Sequence, residues 1–119
     1  MAYSIKEVEG GRIHVVTFHG TVHKEDVHSA FTALSPVGSF QSPRRLWDLR
    51  EAEFKMTTKD LQELGSSSRG LDAEPARVAL LVNRDLVHGM ARMYTVYREA
   101  DSVEMQIFRD WDAALEWLS

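Results

Sequence analysis

Two apolar runs near the start of the chain predict a β-hairpin. Residues 3–8 and 12–19 both have the composition of β-strands, and the Gly10-Gly11 pair between them is typical of a tight turn. The second run carries apolar side chains at odd and at even positions, so both of its faces are apolar. A strand of that kind is buried on both sides, which predicts that it lies in the interior of the sheet.

Three further strands are predicted along the rest of the chain. Residues 45–49 follow Pro43 and are themselves followed by an irregular stretch. Residues 78–82 are five consecutive apolar residues, the pattern of a strand that is covered on both faces and usually parallel to its neighbours. Residues 103–108 alternate between apolar and polar side chains, which predicts an edge strand with one face exposed to solvent.

Four amphipathic helices are predicted between and after these strands. In each, apolar residues recur at spacings of three and four, as on the stripe from Val27 to Leu34. This first helix follows Thr21 and is ended by Pro36. The residues predicted to cap the other three helices are Thr57 or Thr58, Asp85 and Asp110.

The predicted elements follow one another in the order β-β-α-β-α-β-α-β-α. Strands that alternate with helices indicate an α/β fold in which a mixed sheet is covered by packed helices. The chain has 119 residues, enough to bury one hydrophobic core and too few for two independent ones. We therefore predict a single domain over residues 1–119.

Composition excludes several classes of protein. The chain has no cysteine, which excludes a disulfide scaffold, a cysteine nucleophile and a cysteine zinc site. Its formal net charge of −4 disfavours nucleic acid as a partner, because nucleic-acid binding depends on clustered positive charge. No apolar run approaches the roughly 18 residues of a membrane span, and the N-terminus lacks the apolar core of a signal peptide. We expect a cytoplasmic protein without membrane insertion.

The spacing of the histidines does not predict a metal site. His14 and His19 are expected to point to opposite faces of a strand. His23 and His28 would lie about 140° apart around a helix, too far to chelate one ion together. His19 and His23 could approach each other across a turn, but no carboxylate stands at helical spacing to complete a ligand set. We expect no metal and no cofactor.

Nucleophilic catalysis is not indicated either. Ser66, Ser67 and Ser68 lie in a loose segment without a glycine elbow, and no spacing requires any of them to meet His88. Burial could raise the pKa of Asp48 within its predicted strand, although a residue there more often caps backbone amides. The sequence specifies no reaction, and we predict no catalytic residue.

Several segments of the chain resemble a family of small bacterial proteins, the SpoIIAA-like proteins. The segments that carry the resemblance are mostly core and helix-packing positions: residues 46–49, 77–82, 89–94 and 108–110, with Ala114, Trp117 and Leu118. The resemblance covers nearly the whole chain and implies the STAS-type architecture, a mixed sheet with helices packed around it. That superfamily includes anti-sigma-factor antagonists, tail domains of transporters and relatives of lipid carriers. The resemblance implies a fold and no particular activity.

The antagonists of this superfamily carry a phosphorylated serine in an Asp-Ser-Ser-Gly turn, at the start of the helix after the third strand. The matching stretch here runs from Phe54 to Leu61 and keeps hydroxyl groups at Thr57 and Thr58. The resemblance thus implies Thr57 or Thr58 as the position of a phosphorylation switch. The leading acid and the glycine of the turn are missing, and this difference speaks against such a switch.

Two arginines are candidate ligands for an anion. In open α/β sheets, ligands bind beyond the carboxyl ends of parallel strands, beside helix N-termini. Arg50 and Arg84 follow the predicted third and fourth strands, so adjacent strands would bring them together near the helix start at Thr57 or Thr58. Their guanidinium groups suit a phosphate or a carboxylate. The alternative is that both form surface ion pairs with nearby acids, namely Glu51, Glu53 or Asp85.

The predicted third helix carries a soft and partly aromatic stripe of Met90, Met93, Tyr94 and Tyr97, called here the Met/Tyr stripe. Methionine adapts to irregular partners, and tyrosine keeps a polar tip at the rim of an apolar site. The stripe is wider than one packed face requires, so it could be core, a subunit interface or the lining of an apolar pocket. Gly89 on the same helix predicts a close approach by a neighbouring backbone or a ligand.

These observations favour a binding or regulatory module without catalysis, which presents a helix face to a protein partner or to a second copy of itself. A homodimer is expected from the excess of apolar helix surface. The alternative is a small intracellular carrier of an acidic apolar ligand, such as a fatty acid or a lipid fragment. In that case the Met/Tyr stripe would hold the apolar tail, and Arg50 or Arg84 would hold the acidic head.

Overall fold

The computed structural model describes residues 2–36, 40, 42–68, 71, 75–98 and 103–119. Its elements follow the order predicted from the sequence, which confirms the α/β alternation. They are β1 (Tyr3–Val8), β2 (Ile13–Val22), α1 (Lys24–Leu34), β3 (Arg44–Phe54), α2 (Thr58–Ser68), β4 (Ala76–Leu81), α3 (Asp85–Arg98), β5 (Val103–Phe108) and α4 (Trp111–Leu118).

The five strands form one mixed sheet in the order β1-β2-β3-β4-β5. β1 and β2 are antiparallel, and the turn between them places Gly10 and Gly11 at φ values of 68° and 88°, which glycine adopts without steric cost. Every later strand runs parallel to the one before it. The predicted positions are confirmed, because β2 and β4 lie inside the sheet and β5 lies at an edge.

The helices cover the two faces of the sheet unequally. Each parallel strand is added on the same side of the previous one, and parallel crossovers are right-handed, so α1, α2 and α3 all fall on one face. Their apolar stripes form the larger core with the sheet, in which the ring of Phe18 stacks on that of Trp47 at 5.8 Å between centroids. α4 covers the opposite face and places Ala114 and Leu118 in a smaller core.

The start of α1 and the end of β3 differ from the boundaries predicted from the sequence. Thr21 belongs to β2, and α1 begins at Lys24 after His23, whose backbone N–H donates to Asp26 Oδ2 at 2.8 Å. This contact is half of a capping box. The prediction missed it because the cap position holds His23 rather than a serine or threonine. The stretch after residue 49, predicted to be irregular, continues as strand to Phe54.

A bulge explains why the end of β3 escaped prediction. Thr17 of β2 pairs with Asp48, and His19 pairs with Glu51, so β3 has one residue more than β2 between these pairs. The extra residue shifts which side chains point to each face of the sheet. Because the prediction relied on strict period-two alternation, it ended the strand at the bulge. Beyond the bulge the parallel pairing resumes and continues to Phe54.

Candidate functional site

An apolar pocket lies between the sheet and helices α2 and α3. From α3, the Met/Tyr stripe contributes Met90 and Tyr94 to its lining. The other lining residues are apolar side chains of the larger core and its margin: Phe18, Val27, Phe31, Trp47, Leu49, Phe54, Met56, Leu61, Leu64, Leu80, Val87 and Ala91. Within the described residues, no charged side chain lines this pocket, so it offers no cationic partner for an acidic head group.

The volume of the apolar pocket limits what it can hold. It measures about 60 Å³, whereas pockets for drug-sized ligands measure roughly 300–1,000 Å³. A fatty-acid tail would fit only if α2 and α3 moved apart. The geometry therefore gives no support to the alternative of a small carrier for an apolar acid.

The other half of the Met/Tyr stripe lies outside the pocket. Tyr97 packs on α2 so closely that a Cβ built at Gly65 would lie 2.7 Å from the Tyr97 Cβ. Met93 does not line the pocket and is partly exposed. The close approach predicted at Gly89 is wrong, since a Cβ there would have no described atom within 4 Å, and the close approach occurs at Gly65 instead.

Ser66, Ser67 and Ser68 belong to the last turn of α2. The Ser67 Oγ donates to the Leu64 carbonyl at 3.2 Å, and the buried Ser68 Oγ lies 2.9 Å from the same oxygen. The Ser68 Oγ is also 3.0 Å from the Tyr94 hydroxyl. The segment predicted to be loose is thus helical through Ser68, and nothing in this arrangement points to catalysis.

Arg50 does not reach the apolar pocket. It forms a bidentate ion pair with Asp48, with Nε to Oδ1 and Nη2 to Oδ2 both at 3.0 Å, and its guanidinium lies 5.7 Å from the centre of the Trp111 ring on α4. The hydrogen bonds that the Arg50 guanidinium donates to the Asp48 carboxylate raise the pKa of Arg50 above its ordinary value. The partner is thus Asp48 rather than Glu51 or another of the expected acids. A spacing of two along a strand, which places both side chains on one face, could have identified this pair.

Arg84 also takes a partner that the sequence did not indicate. Its Nη2 donates to the backbone carbonyl of Ala52, near the end of β3. The expected acid, Asp85, pairs instead with Arg109 at 2.8 Å. Arg50 lies on the α4 side of the sheet and Arg84 binds backbone, so no contact joins the two guanidinium groups into one anion site.

Thr57 and Thr58 lie at the exposed start of α2. Of the two threonines predicted as the cap, Thr57 is the one that caps α2: its Oγ1 accepts from the Asp60 backbone N–H at 3.1 Å, and its own N–H donates to Asp60 Oδ2 at 3.0 Å. These reciprocal bonds form a capping box. The Thr57 hydroxyl therefore already has a structural role, and the adjacent Thr58 hydroxyl lies at the surface.

The outer face of α3 exposes apolar side chains beside the charged Arg92. Gly89, Met93 and Val96 follow at spacings of four and three, which places them on one side of the helix. Val96 is 64% exposed and Ile5 of β1 is 36% exposed, and these two are the large hydrophobic residues that the described part of the chain leaves exposed. The sequence predicted a surplus of apolar surface on this helix, and the surplus falls on Met93 and Val96.

Beside this face, a groove separates α3 from the edge strand β5. It measures about 340 Å³, and we call it the edge groove. Its lining residues are His88, Arg92 and Thr95 of α3 with Met105, Gln106 and Ile107 of β5. The sequence identified β5 as an edge strand but could not place α3 beside it, so the groove was not predicted.

A second polar feature that was not predicted from the sequence lies where β2 and β3 begin. Arg45 is only 2% exposed, stacks on the Phe40 ring at 4.1 Å and donates from Nη1 to the Ser42 carbonyl at 2.8 Å. Nearby, His14 Nε2 lies 3.4 Å from a Glu7 carboxylate oxygen. Arg45 occupies the same face of β3 as Trp47 and Leu49, and a charged residue in an otherwise apolar alternation is the signal that could have found it.

No group of three or more His, Asp or Glu side chains in the described part of the chain is arranged to hold a metal ion. No helix in it is long and apolar enough to cross a membrane.

Comparison with known proteins identifies the fold. No protein-family model matches the chain, and no curated protein matches it in sequence. The structure is similar to that of an uncharacterized protein of the DUF3478 family with a SpoIIAA-like fold, from Shewanella loihica PV-4. The TM-score is 0.64, with 20% sequence identity over 99% of this chain and 93% of that chain. This similarity confirms the fold that the sequence resemblance implied, and at such identity it assigns no activity.

Proposed function

We propose that this chain, which has the SpoIIAA-like fold, is a non-catalytic binding module. It acts in the cytoplasm and associates with another protein through the outer face of α3. The observation that carries the proposal is the exposed apolar side of that helix, with Val96 64% exposed beside the partly exposed Met93. Burying these apolar side chains against a partner would remove them from water, which favours association at this face.

The candidate groups for other functions are already engaged within the molecule. The Asp48 carboxylate is bound by Arg50, and the Ser68 hydroxyl is bound within α2. The apolar pocket of about 60 Å³ is too small for a lipid tail. These observations support a binding function over catalysis or lipid transport.

The exposed apolar area also favours a different protein over a second copy of the chain. Stable interfaces bury roughly 1,200–2,000 Å² in total, and those of obligate homodimers resemble a hydrophobic core. Val96 and Met93 supply a narrow stripe, and the lining of the edge groove beside them is largely polar. We therefore propose a partner of another sequence and keep the homodimer as an outcome that the experiment distinguishes.

Site-specific photo-cross-linking tests this proposal. A benzophenone amino acid replaces Val96 in the native cells, and the same probe replaces Thr32 on the exposed side of α1 as the control. We expect one protein adduct from position 96 and none from position 32, with mass spectrometry identifying the partner. Adducts at both positions, or at neither, would overturn the proposal, and an adduct of two copies of this chain would replace the foreign partner with a homodimer.

A further inference from the structure

We propose that the edge groove binds an extended, acidic segment of the partner, which adds to the sheet as a sixth strand beside β5. This inference rests on the proposed binding function and specifies the chemistry of the partner. Three features carry it: the outer edge of β5, which no described strand pairs with, the alternating side chains along the groove, and the positive charge at its rim.

The backbone of β5 is available on its outer side. No other strand in the described part of the chain pairs with that side. Exposed edges are usually blocked by charged side chains, especially lysine, by a proline or by a bulge. β5 has neither lysine nor proline, and its one charged residue, Glu104, contacts Arg77. Its six residues pair with β4 in unbroken register, so it offers a regular template.

The opposite edge of the sheet is protected by comparison. β1 carries Lys6 in its middle, and the Lys6 ammonium lies 5.5 Å from the centre of the Trp111 ring on α4. Lysine on an edge strand opposes the addition of a further strand. Strand addition is therefore expected at β5 and not at β1.

The side chains that line the edge groove match the side-chain alternation of an added β-strand. Met105 and Ile107 are separated by two positions, point to the same face of β5 and are only partly buried. Thr95 faces them from α3. An added strand would place every second side chain against Met105, Ile107 and Thr95, and apolar or β-branched side chains suit those contacts.

The charge at the rim favours an acidic segment. Arg92 is exposed and forms no ion pair with the described residues, and His88 lies one helical turn before it. Among the described residues, the lining of the groove contains no acid. The acid on β5, Glu104, contacts Arg77 at 3.5 Å and is not part of the lining. Complementary charges select partners and speed their association, so Arg92 would select carboxylates.

The test uses defined peptides and a reversal of charge. The probe is a fluorescein-labelled octapeptide of alternating Glu and Val, compared with an alternating Lys and Val peptide and with a Glu and Val peptide that carries a central proline. We expect the acidic peptide to bind about tenfold more tightly than the basic one. Arg92→Glu should invert this preference, whereas Arg12→Glu, on the β1–β2 turn, should leave it unchanged. The proline peptide should bind more weakly, because proline removes a backbone donor.

Amide chemical shifts locate the peptide. We expect titration with the acidic peptide to shift the amides of residues 103–108. Shifts confined to β1, equal binding of the acidic and basic peptides, or no binding at all would each overturn the inference. If position 96 still cross-links to a partner in that case, the proposed binding function survives and the strand addition fails. If neither experiment gives a signal, both fail.

Discussion

The contact between Gly65 and Tyr97 determines how closely α2 and α3 approach each other. A Cβ at position 65 would lie 2.7 Å from the Tyr97 Cβ and 2.8 Å from its backbone carbonyl carbon. Because one of these atoms is backbone, a side-chain rotation cannot relieve the overlap. The two helices also border the apolar pocket, so the same contact keeps that pocket small.

Gly65→Ala should therefore destabilise the protein even though alanine favours helices. We expect the free energy of unfolding to fall by about 1–3 kcal/mol, the usual cost of overpacking a core. Gly89→Ala on α3 is the matched control, because its Cβ would meet open space. That variant should gain up to about 1 kcal/mol from helix propensity. Urea denaturation measures both, and equal effects of the two substitutions would contradict the packing described here.

Single residues also show which contacts could be predicted from the sequence and which could not. The Asp48–Arg50 pair and the buried Arg45 both occupy positions that strand alternation makes visible. The sequence could not show which glycine, Gly65 or Gly89, lies against a neighbouring helix. Both are helical glycines, and only the packing of α2 on α3 distinguishes them. The partner of Arg84 was equally hidden, since a backbone carbonyl 32 positions earlier leaves no pattern in the sequence.

At the scale of elements, the start of α2 combines a capping box with an ion cluster. Thr57 and Asp60 exchange backbone-to-side-chain hydrogen bonds. Lys24 of α1 lies 2.8 Å from the Glu63 carboxylate and 3.8 Å from that of Asp60. The N-terminal turn of α2 is thus tied both to itself and to α1, although each charge is near the surface.

Removing the cap should cost stability at one threonine and not at its neighbour. Thr57→Ala loses the acceptor for the Asp60 N–H, and we expect about 0.5–2 kcal/mol of destabilisation. Thr58→Ala changes an exposed side chain and should alter the free energy of unfolding by less than about 0.5 kcal/mol. Thermal and urea unfolding of the two variants compare these values. If Thr58→Ala costs as much as Thr57→Ala, Thr57 is not the cap.

The same cluster predicts how stability depends on pH. The Thr57 backbone N–H lowers the pKa of Asp60, and the hydrogen bond from Lys24 lowers the pKa of Glu63. A carboxyl whose pKa is lower in the folded state stabilises the protein above its unfolded pKa and loses that contribution as the pH falls through the folded pKa. The free energy of unfolding should therefore decrease below about pH 4.

Asp60→Asn isolates this contribution, because asparagine can still accept the Thr57 hydrogen bond but does not titrate. We expect the difference in unfolding free energy between pH 7 and pH 3 to be smaller in Asp60→Asn than in the unmodified chain. Asp112→Asn, at an exposed position of α4, is the control and should leave the difference unchanged. A pH dependence that is identical in all three proteins would contradict the role of Asp60.

The elements themselves were largely predictable from local pattern. The unbroken apolar run of β4 and the alternation of β5 led to their correct positions inside and at the edge of the sheet. Prediction failed where a local exception intervened, at the bulge that extends β3 to Phe54 and at the His23 cap of α1. A bulge is set by the pairing with the neighbouring strand, which a single sequence does not contain.

At the scale of the whole molecule, the strand order explains both the two cores and the proposed binding surface. Each parallel strand lies on the same side of the strand before it. Successive parallel strands stack three helices on one face and leave α4 for the other. The last strand in that series is necessarily an edge, and α3 packs beside it. The edge groove and the outer face of α3 therefore adjoin each other at the end of the sheet, away from the protected β1 edge.

The candidate site could be predicted only in part, because it depends on this assembly. Met93 was singled out from the helix pattern and does contribute to the exposed face of α3. Arg50 was singled out by the rule for ligands at strand ends, yet its side chain is held by Asp48 near α4. Arg92 had no distinguishing pattern, and its importance follows only from the neighbouring β5 edge.

A native mass spectrum of the protein, purified gently from its own cells, tests the central claim most directly. The proposed binding function predicts a stoichiometric complex with a second protein, which is lost in the Val96→Glu variant and retained in the control variant Thr32→Glu. A bare monomer, or a monomer that carries a small molecule and no second chain, would contradict it.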